Sequence, residues 1–254
     1  VELWKSDGTD EGTVMVRDFS PGDRSSLINS IVSFNGLAFF DRARELVGHD
    51  GWFVQHELYK SDGTATGTVI VKDINPNYDY RINPPIPLDS DPAGFYKAGN
   101  YLYFMANDGV HGRKLWRTDG TEIGTVLIGG PWISSELEIL AYCAEIDGNL
   151  FFVANDAEHG FGIWKTDGTQ NGTNFIKIID ENPSEYYDYA ALYDLGEKFL
   201  LFNGTQLWGS NGTEEGTVLL RDDLIRYGTW KLWEATFYGS LVFTARTLGK
   251  KYGT

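Results

Sequence analysis

An all-β chain, arranged as a five-bladed β-propeller with four antiparallel strands per blade, is the fold class the sequence predicts, on three observations. One eleven-residue pattern occurs five times; each occurrence is followed by the same succession of short β-branched and aromatic runs; and the chain ends one run short of a complete fifth unit. The pattern first appears as Leu3-Trp4-Lys5-Ser6-Asp7-Gly8-Thr9-Asp10-Glu11-Gly12-Thr13. It returns from Leu58 to Thr68, Leu115 to Thr125, Ile163 to Thr173 and Leu207 to Thr217. The steps between copies, 55, 57, 48 and 44 residues, suit a four-stranded blade and are too long for a leucine-rich or ankyrin unit.

The elements of one unit show the logic. After the second copy, apolar or alternating runs fall at 68–74, 94–97, 101–106 and 114–118, each short and of strand composition. Turns between the second and third runs carry Gly or Asn: Phe34-Asn35-Gly36, Ala98-Gly99-Asn100, Asp147-Gly148-Asn149, Gly196-Glu197 and Tyr238-Gly239. Such residues accept the positive φ of a tight hairpin. The expected blades in a single domain, 1–254, are 13–63, 68–120, 125–168, 173–212, and 217–254 completed by 1–9. After the fifth copy only three runs follow, and the N-terminal run from Glu2 to Ser6 is expected to supply the fourth. The step from Leu207 through Thr254 to Leu3 is 50 residues, in line with the others. A ring closed in this way leaves no unpaired sheet edge between first and last blades; an open solenoid is the alternative.

Asp7, Asp62, Asp119, Asp167 and Asn211 share one position in the repeat box. A short acceptor there can bind backbone N–H groups of its own turn, the following Gly accepts a φ other residues avoid, and the recurring Thr can bond the same turn through its hydroxyl. A structural turn is therefore expected, with five equivalent metal sites as the functional alternative. Repetition also assigns Asp18, Asp73, Asp222, His111 and His159 to structure. Trp4, Tyr59, Trp116, Trp164 and Trp208, one position into each outer strand, are expected to pack between blades.

The formal charge of −15 argues against nucleic acid, whose phosphates demand clustered Lys and Arg, and against anionic membrane surfaces. No apolar stretch approaches the roughly 20 residues of a spanning helix, so no membrane insertion is expected. The charged opening Val1-Glu2-Leu3-Trp4-Lys5 is not a signal peptide, and the chain reads as soluble, the mature or trimmed part of something longer. One cysteine, Cys143, excludes an internal disulfide and a cysteine-built zinc site.

Glu2-Leu3-Trp4, Asp7-Gly8-Thr9 and Gly12-Thr13 resemble the repeat family named for its ELWxxDGT signature, found in predicted secreted and surface proteins, mainly bacterial. The resemblance covers the whole chain and implies a secreted or cell-surface location; it attaches no biochemical activity. The box is also similar to the Asp-box turn of sialidases. Tyr59, Ile163 and Asn211 depart from the signature.

Longer connections that differ between units fall on one face: 41–56, 75–92, 129–136, 180–189 and 223–229. Variable loops on a rigid scaffold are where binding usually resides. These are acidic and rich in rings, and the candidate ligand contacts are Trp52, Phe53, Tyr78, Tyr80, Trp132, Tyr186, Tyr187, Tyr189, Tyr227 and Trp230. Rings stack on the C–H faces of sugars while amides and carboxylates bind hydroxyls; cationic groups suit them as well. Carbohydrate or another small ligand is thus one expected partner, and a protein surface or another copy of the chain is the alternative. No catalytic residue is nominated, since GxSxG, HExxH and a Walker loop are all lacking; a glycoside-acting enzyme is the least favoured reading. No cofactor is expected. Asp89-Ser90-Asp91-Pro92-Ala93-Gly94 resembles the start of a calcium loop, but Asn100 stands where a bidentate Glu belongs, which leaves calcium open.

Overall fold

Each repeat box folds as a hairpin that turns the chain back onto the strand preceding it. The structure is a computed structural model and describes residues 2–20, 27–48, 51–81, 83, 85–128, 143–156, 158–180, 191–225, 234–237, 240–243 and 246–247. All regular elements among them are β-strands. The chain divides into two compact units, Val1–Ile128 and Gly129–Thr254.

In the first unit, β1 (Leu3–Lys5) and β2 (Val14–Arg17) form a two-stranded hairpin around the first box. A four-stranded antiparallel sheet follows: β3 (Ile28–Phe34), β4 (Leu37–Gly48), β5 (Gly51–Ser61) and β6 (Val69–Lys72), paired in chain order. A small hairpin, β7 (Tyr78–Asp79) and β8 (Ile86–Pro87), precedes a second sheet of β9 (Ala93–Ala98), β10 (Tyr101–Asn107), β11 (Arg113–Thr118) and β12 (Val126–Leu127). The second unit repeats the plan. Its sheets are β13 (Cys143–Ile146) to β16 (Asn174–Asp180), through β14 (Asn149–Asp156) and β15 (Gly160–Thr166), and β17 (Ala191–Asp194) to β20 (Val218–Arg221), through β18 (Phe199–Phe202) and β19 (Leu207–Ser210). Four short strands complete the described pairs: β21 (Leu224–Ile225) pairs with β24 (Arg246–Thr247), and β22 (Glu234–Phe237) with β23 (Ser240–Phe243).

This pairing corrects the expected grouping of strands. The run after each box, taken to open a new blade, is the edge strand of the preceding sheet, in the pairs β5–β6, β11–β12, β15–β16 and β19–β20. The sheets therefore span 28–72, 93–127, 143–180 and 191–221. The box is too tight to cross between sheets: Thr13, Thr125, Thr173 and Thr217 each donate a backbone N–H to a carbonyl three residues earlier.

Inside the box each hydroxyl both donates and accepts. Gly8 N–H donates to Ser6 Oγ, Ser6 to Thr13 Oγ1 at 2.8 Å, and Thr13 to the Thr9 carbonyl at 2.6 Å. Asp7 Oδ1 accepts both the N–H and the hydroxyl of Thr9, and Gly12 N–H closes the loop on Thr9 Oγ1. The same relay recurs at Ser61–Thr68, Thr118–Thr125, Thr166–Thr173 and Ser210–Thr217. These hydrogen bonds, the Thr hydroxyl first, hold the Asp7, Asp62, Asp119 and Asp167 carboxyls below the usual carboxylate range. Asn211 Oδ1 takes the same two bonds from Thr213.

Sheets pack face to face within each unit. Phe34, Phe39, Leu58 and Val71 of the β3–β6 sheet meet Leu102, Phe104, Ala106 and Trp116 of the β9–β12 sheet. In the second unit Ala144, Phe151 and Ile163 meet Leu192, Phe199 and Leu201. Each such side chain contributes roughly 1.5–3 kcal/mol by leaving water. Polar contacts add register. Lys60 Nζ donates to the Gly120 carbonyl at 2.6 Å, Lys72 Nζ to Thr125 O at 2.9 Å and Arg17 to Thr68 O. A cation on one box hairpin thus caps the carbonyls of the next box. Trp116 and Trp164 are buried, whereas Trp4 is 58 % exposed.

Candidate functional site

The segment from β6 to β9 presents the two candidate rings that the structure describes in full. Tyr78 and Tyr80 are 48 % and 78 % exposed, and their ring centroids lie 6.2 Å apart at 45°. Between them Asp79 accepts two hydrogen bonds from the Arg81 guanidinium, 2.8 and 2.7 Å, and a third from Arg81 N–H. The guanidinium, with that backbone bond, holds the Asp79 carboxyl down at about 2. The pair keeps the charge between the rings locally neutral and the turn compact.

Asn75 and Asn77 brace this hairpin. Asn77 Nδ2 donates to Asn75 Oδ1 at 2.9 Å and reaches the Asp108 carbonyl at 3.4 Å; Asn75 Nδ2 donates to Asp89 O at 2.9 Å. The neighbouring turn holds Asp108, whose Oδ2 meets His111 Nδ1 at 2.7 Å. Partial burial pushes the Asp108 carboxyl up, but the hydrogen bonds from His111 and from the backbone outweigh it and leave the carboxyl below its ordinary value. Gly109, at φ +76°, lets the two turns approach: a Cβ there would stand 2.4 Å from Asn75 Oδ1 and 2.7 Å from Asn77 Nδ2. Gly109→Ala is therefore expected to displace both amides and to shift the amide resonances of residues 75–81, while leaving those of the β13–β16 sheet unchanged in a two-dimensional NMR comparison.

Beneath the hairpin lies a buried polar cluster on β4 and β5. Asp41 Oδ2 meets His56 Nδ1 at 2.8 Å and accepts from Asn29 Nδ2 at 3.3 Å. Burial raises the Asp41 carboxyl despite the His56 hydrogen bond. Glu57, 5 % exposed, bonds Ser90 Oγ at 2.7 Å and Gln55 Nε2 at 3.3 Å. Burial, joined by the nearby Asp73 and Asp89 charges, pushes its carboxyl up to about 8, against the opposing hydrogen bond from Ser90. Asp89, first residue of the calcium-like motif, is committed to the backbone: its Oδ1 accepts from the N–H groups of His56 and Asp91.

The connection 41–56, expected as a loop, is the extension of the β4–β5 hairpin. Apolar and β-branched residues on both arms continue the ladder until Gly48 pairs with Gly51. Trp52 and Phe53 occupy its end, opposite Val47 and Leu46 in register. Trp132, Tyr186, Tyr187, Tyr189, Tyr227 and Trp230 lie outside the described residues. Tyr78 and Tyr80 are accordingly the candidates shown together. Gln55 and Glu57 carry no assignment in the sequence, and Ser90 figures there only in the calcium-like motif; polar residues inside a strand-forming run beside Leu58 were the available signal for the first two. Among the described residues no group of three or more His, Cys, Asp and Glu side chains is arranged to hold a metal ion, and no helix is long and apolar enough to cross a membrane. Cys143 is buried, and burial raises its thiol well above the ordinary value. No protein-family model matches the chain, and no curated protein matches it.

Proposed function

We propose that the chain is a non-catalytic extracellular binding module of the ELWxxDGT repeat type that takes a carbohydrate on its ring-bearing loops. The observation that carries this reading is the exposed Tyr78–Tyr80 pair on a braced hairpin. Two tilted rings offer stacking area for sugar C–H faces at little ordering cost, and the Asn77, Asp108 and His111 groups alongside them suit hydroxyls. The test is a glycan-array screen of the whole chain, with and without calcium. Tyr80→Ala is expected to lower binding roughly five- to tenfold, the scale of about 1–1.5 kcal/mol for one lost stacking contact, without changing thermal stability. Equal binding by Tyr80→Ala and by the Tyr78→Ala/Tyr80→Ala double variant would remove the platform from the site.

A protein contact is the second reading, favoured by the edge strands. Val14, Met15, Val69, Ile70, Val218, Leu219 and Leu220 follow their boxes on unpaired sheet edges and stay exposed. Exposed apolar edges are templates for another strand.

The finer architecture belongs to the same proposal: a five-bladed ring whose last blade joins the β22–β23 hairpin to the N-terminal β1–β2 box hairpin. In its support, each four-stranded sheet joins a plain hairpin to a box hairpin, whereas β22–β23 lacks a box and β1–β2 lacks a plain hairpin. The Phe39 and Phe151 rings cover Gly120 and Gly212 of other boxes, whereas among the described residues no atom comes within 4 Å of a Cβ placed on Gly8. Leu200 holds the register place of those rings, and it lines a cavity of about 440 Å³ with Lys198, Val218, Leu220 and Leu241. A box hairpin would fill it.

A further inference from the structure

We propose that Glu57 is a protonated latch on the segment carrying Tyr78 and Tyr80: its carboxyl O–H donates to Ser90 Oγ, and its ionisation loosens residues 75–91 from β5. Control of ligand binding follows only if the tyrosine pair is the ligand platform; the latch itself does not depend on that reading.

Hydrogen-bond arithmetic carries the inference. Ser90 is wholly buried and has one hydroxyl proton. Its Oγ stands 2.9 Å from the His56 carbonyl oxygen and 2.7 Å from Glu57 Oε2. An ionised carboxylate only accepts, so one proton would have to serve two acceptors. With Glu57 protonated, both contacts are hydrogen bonds: Glu57 donates to Ser90, and Ser90 donates to His56. Glu57 Oε1 then accepts from Gln55 Nε2.

The surroundings favour the neutral form. Burial and the like charges of Asp73 and Asp89 outweigh the hydrogen bond that the carboxyl accepts from the Ile74 N–H. The Asp41–His56 pair occupies the adjacent strand positions, and Arg113 is committed to Asp91. Arg42 stands opposite Glu57 in the β4–β5 register, but its guanidinium lies over the Phe19 ring, 4.5 Å from the centroid, and toward Tyr59. When the proton leaves to water, the Ser90 hydroxyl turns to the carboxylate, and the His56 carbonyl keeps only the Ser90 N–H at 3.3 Å. One tie between β5 and the segment is lost, and a charge is left buried. His56 N–H to Asp89 Oδ1 and Gln55 Nε2 to Leu88 O still tie the segment to β5, and Asn107 N–H to Ser90 O ties it to β10, which keeps the change local. The sign follows: a carboxyl raised on folding contributes stability in full below its ordinary value of 4.5, and loses it as pH rises through about 8.

The experiment uses the full chain without ligand, following the Glu57 side-chain carboxyl by carbon-13 NMR and residues 75–91 by hydrogen exchange, corrected for intrinsic rates. The carboxyl is expected to titrate near 8. Protection of 75–91 should fall roughly tenfold between about pH 7 and pH 9, the scale of one buried hydrogen bond, with no such fall in 143–180. Glu57→Gln, whose amide still donates to Ser90, should abolish that pH dependence. A carboxyl titrating near 4.5, or an equal fall in Glu57→Gln, overturns the latch, and the wild-type titration decides alone if the variant does not fold. Sugar binding enters none of these readouts, so loss of the platform reading through Tyr80→Ala leaves them intact.

Discussion

Gly124→Ala is expected to destabilise the first unit by about 2–4 kcal/mol and Asp119→Ala by about 1–2 kcal/mol, yet the double variant by less than their sum. A Cβ at Gly124 would fall 2.1 Å from Asp119 Oδ1 and 2.2 Å from its Cγ. No side chain tolerates that separation, so the carboxylate must leave the turn and abandon both hydrogen bonds from Thr121, each 2.8 Å or shorter. Removing the carboxylate first takes away the three atoms nearest the new methyl. The coupling should therefore be large and favourable, of the 0.5–3 kcal/mol that directly touching residues show. Urea unfolding of the four proteins, read by the fluorescence of the buried Trp116, measures it. Strict additivity would mean that the carboxylate and the glycine do not share one space. The same contact recurs at Gly12, Gly67, Gly172 and Gly216, with acceptor atoms 1.9–2.1 Å from the Cβ position. The second glycine of the pattern is thus the space the acidic side chain occupies, independent of any need for positive φ.

Much of this turn was legible in the sequence, because an invariant spacing of Asp, Gly and Thr admits few geometries. The Ser or Thr before each acceptor, Ser6, Ser61, Thr118, Thr166 and Ser210, recurs as strictly but was not assigned a role from sequence; its hydroxyl links the two arms of the hairpin. What could not be read was which neighbour the following strand joins. Val69 to Lys72 alternates identically whether it begins one sheet or ends another, because periodicity reports a buried face and carries no information about the pairing edge. The hairpin tip at Gly48 and Gly51 was mistaken for a loop for a related reason: Arg44 and Glu45 interrupt the apolar alternation, while the backbone ladder continues regardless. Of the candidate site, exposed rings in a variable connection were apparent, but their support was not. Ser90 and Glu57 are 33 residues apart in sequence and meet only because residues 88–91 lie along β5. A carboxyl whose role comes from burial has no local signature.

Cross-linking gives the largest effect expected of the ring proposed above. Across the sheets Phe39 faces Lys60, Tyr103 faces Arg117 and Phe151 faces Lys165. Each cationic partner is the third residue of its repeat box, and each ring is the third residue of its strand, β4, β10 or β14. In that ring Lys5 would by the same count stand opposite Val242, the third residue of β23, which is 64 % exposed among the described residues. Opposed residues of antiparallel strands lie about 4.5–5.5 Å apart between Cα atoms, inside the roughly 4.4–6.8 Å window of a disulfide. On a Cys143→Ala background, Lys5→Cys/Val242→Cys should oxidise to a monomeric, faster-migrating species on non-reducing gels at a yield independent of protein concentration. The closed loop spans nearly the whole chain, so the bond should raise stability by about 3–5 kcal/mol, read as a urea midpoint that falls back on reduction. Arg221 supplies a second readout. It occupies the place of Arg17 and Lys72 and is paired with Asp223 at 2.6 Å; with the box hairpin seated, it would reach the Thr13 carbonyl as its counterparts reach Thr68 and Thr125. Dimers whose yield rises with concentration would instead assign the cavity beside Leu200 to the box of a second copy, and absence of any cross-link in the folded double variant would leave the N-terminal hairpin outside the ring.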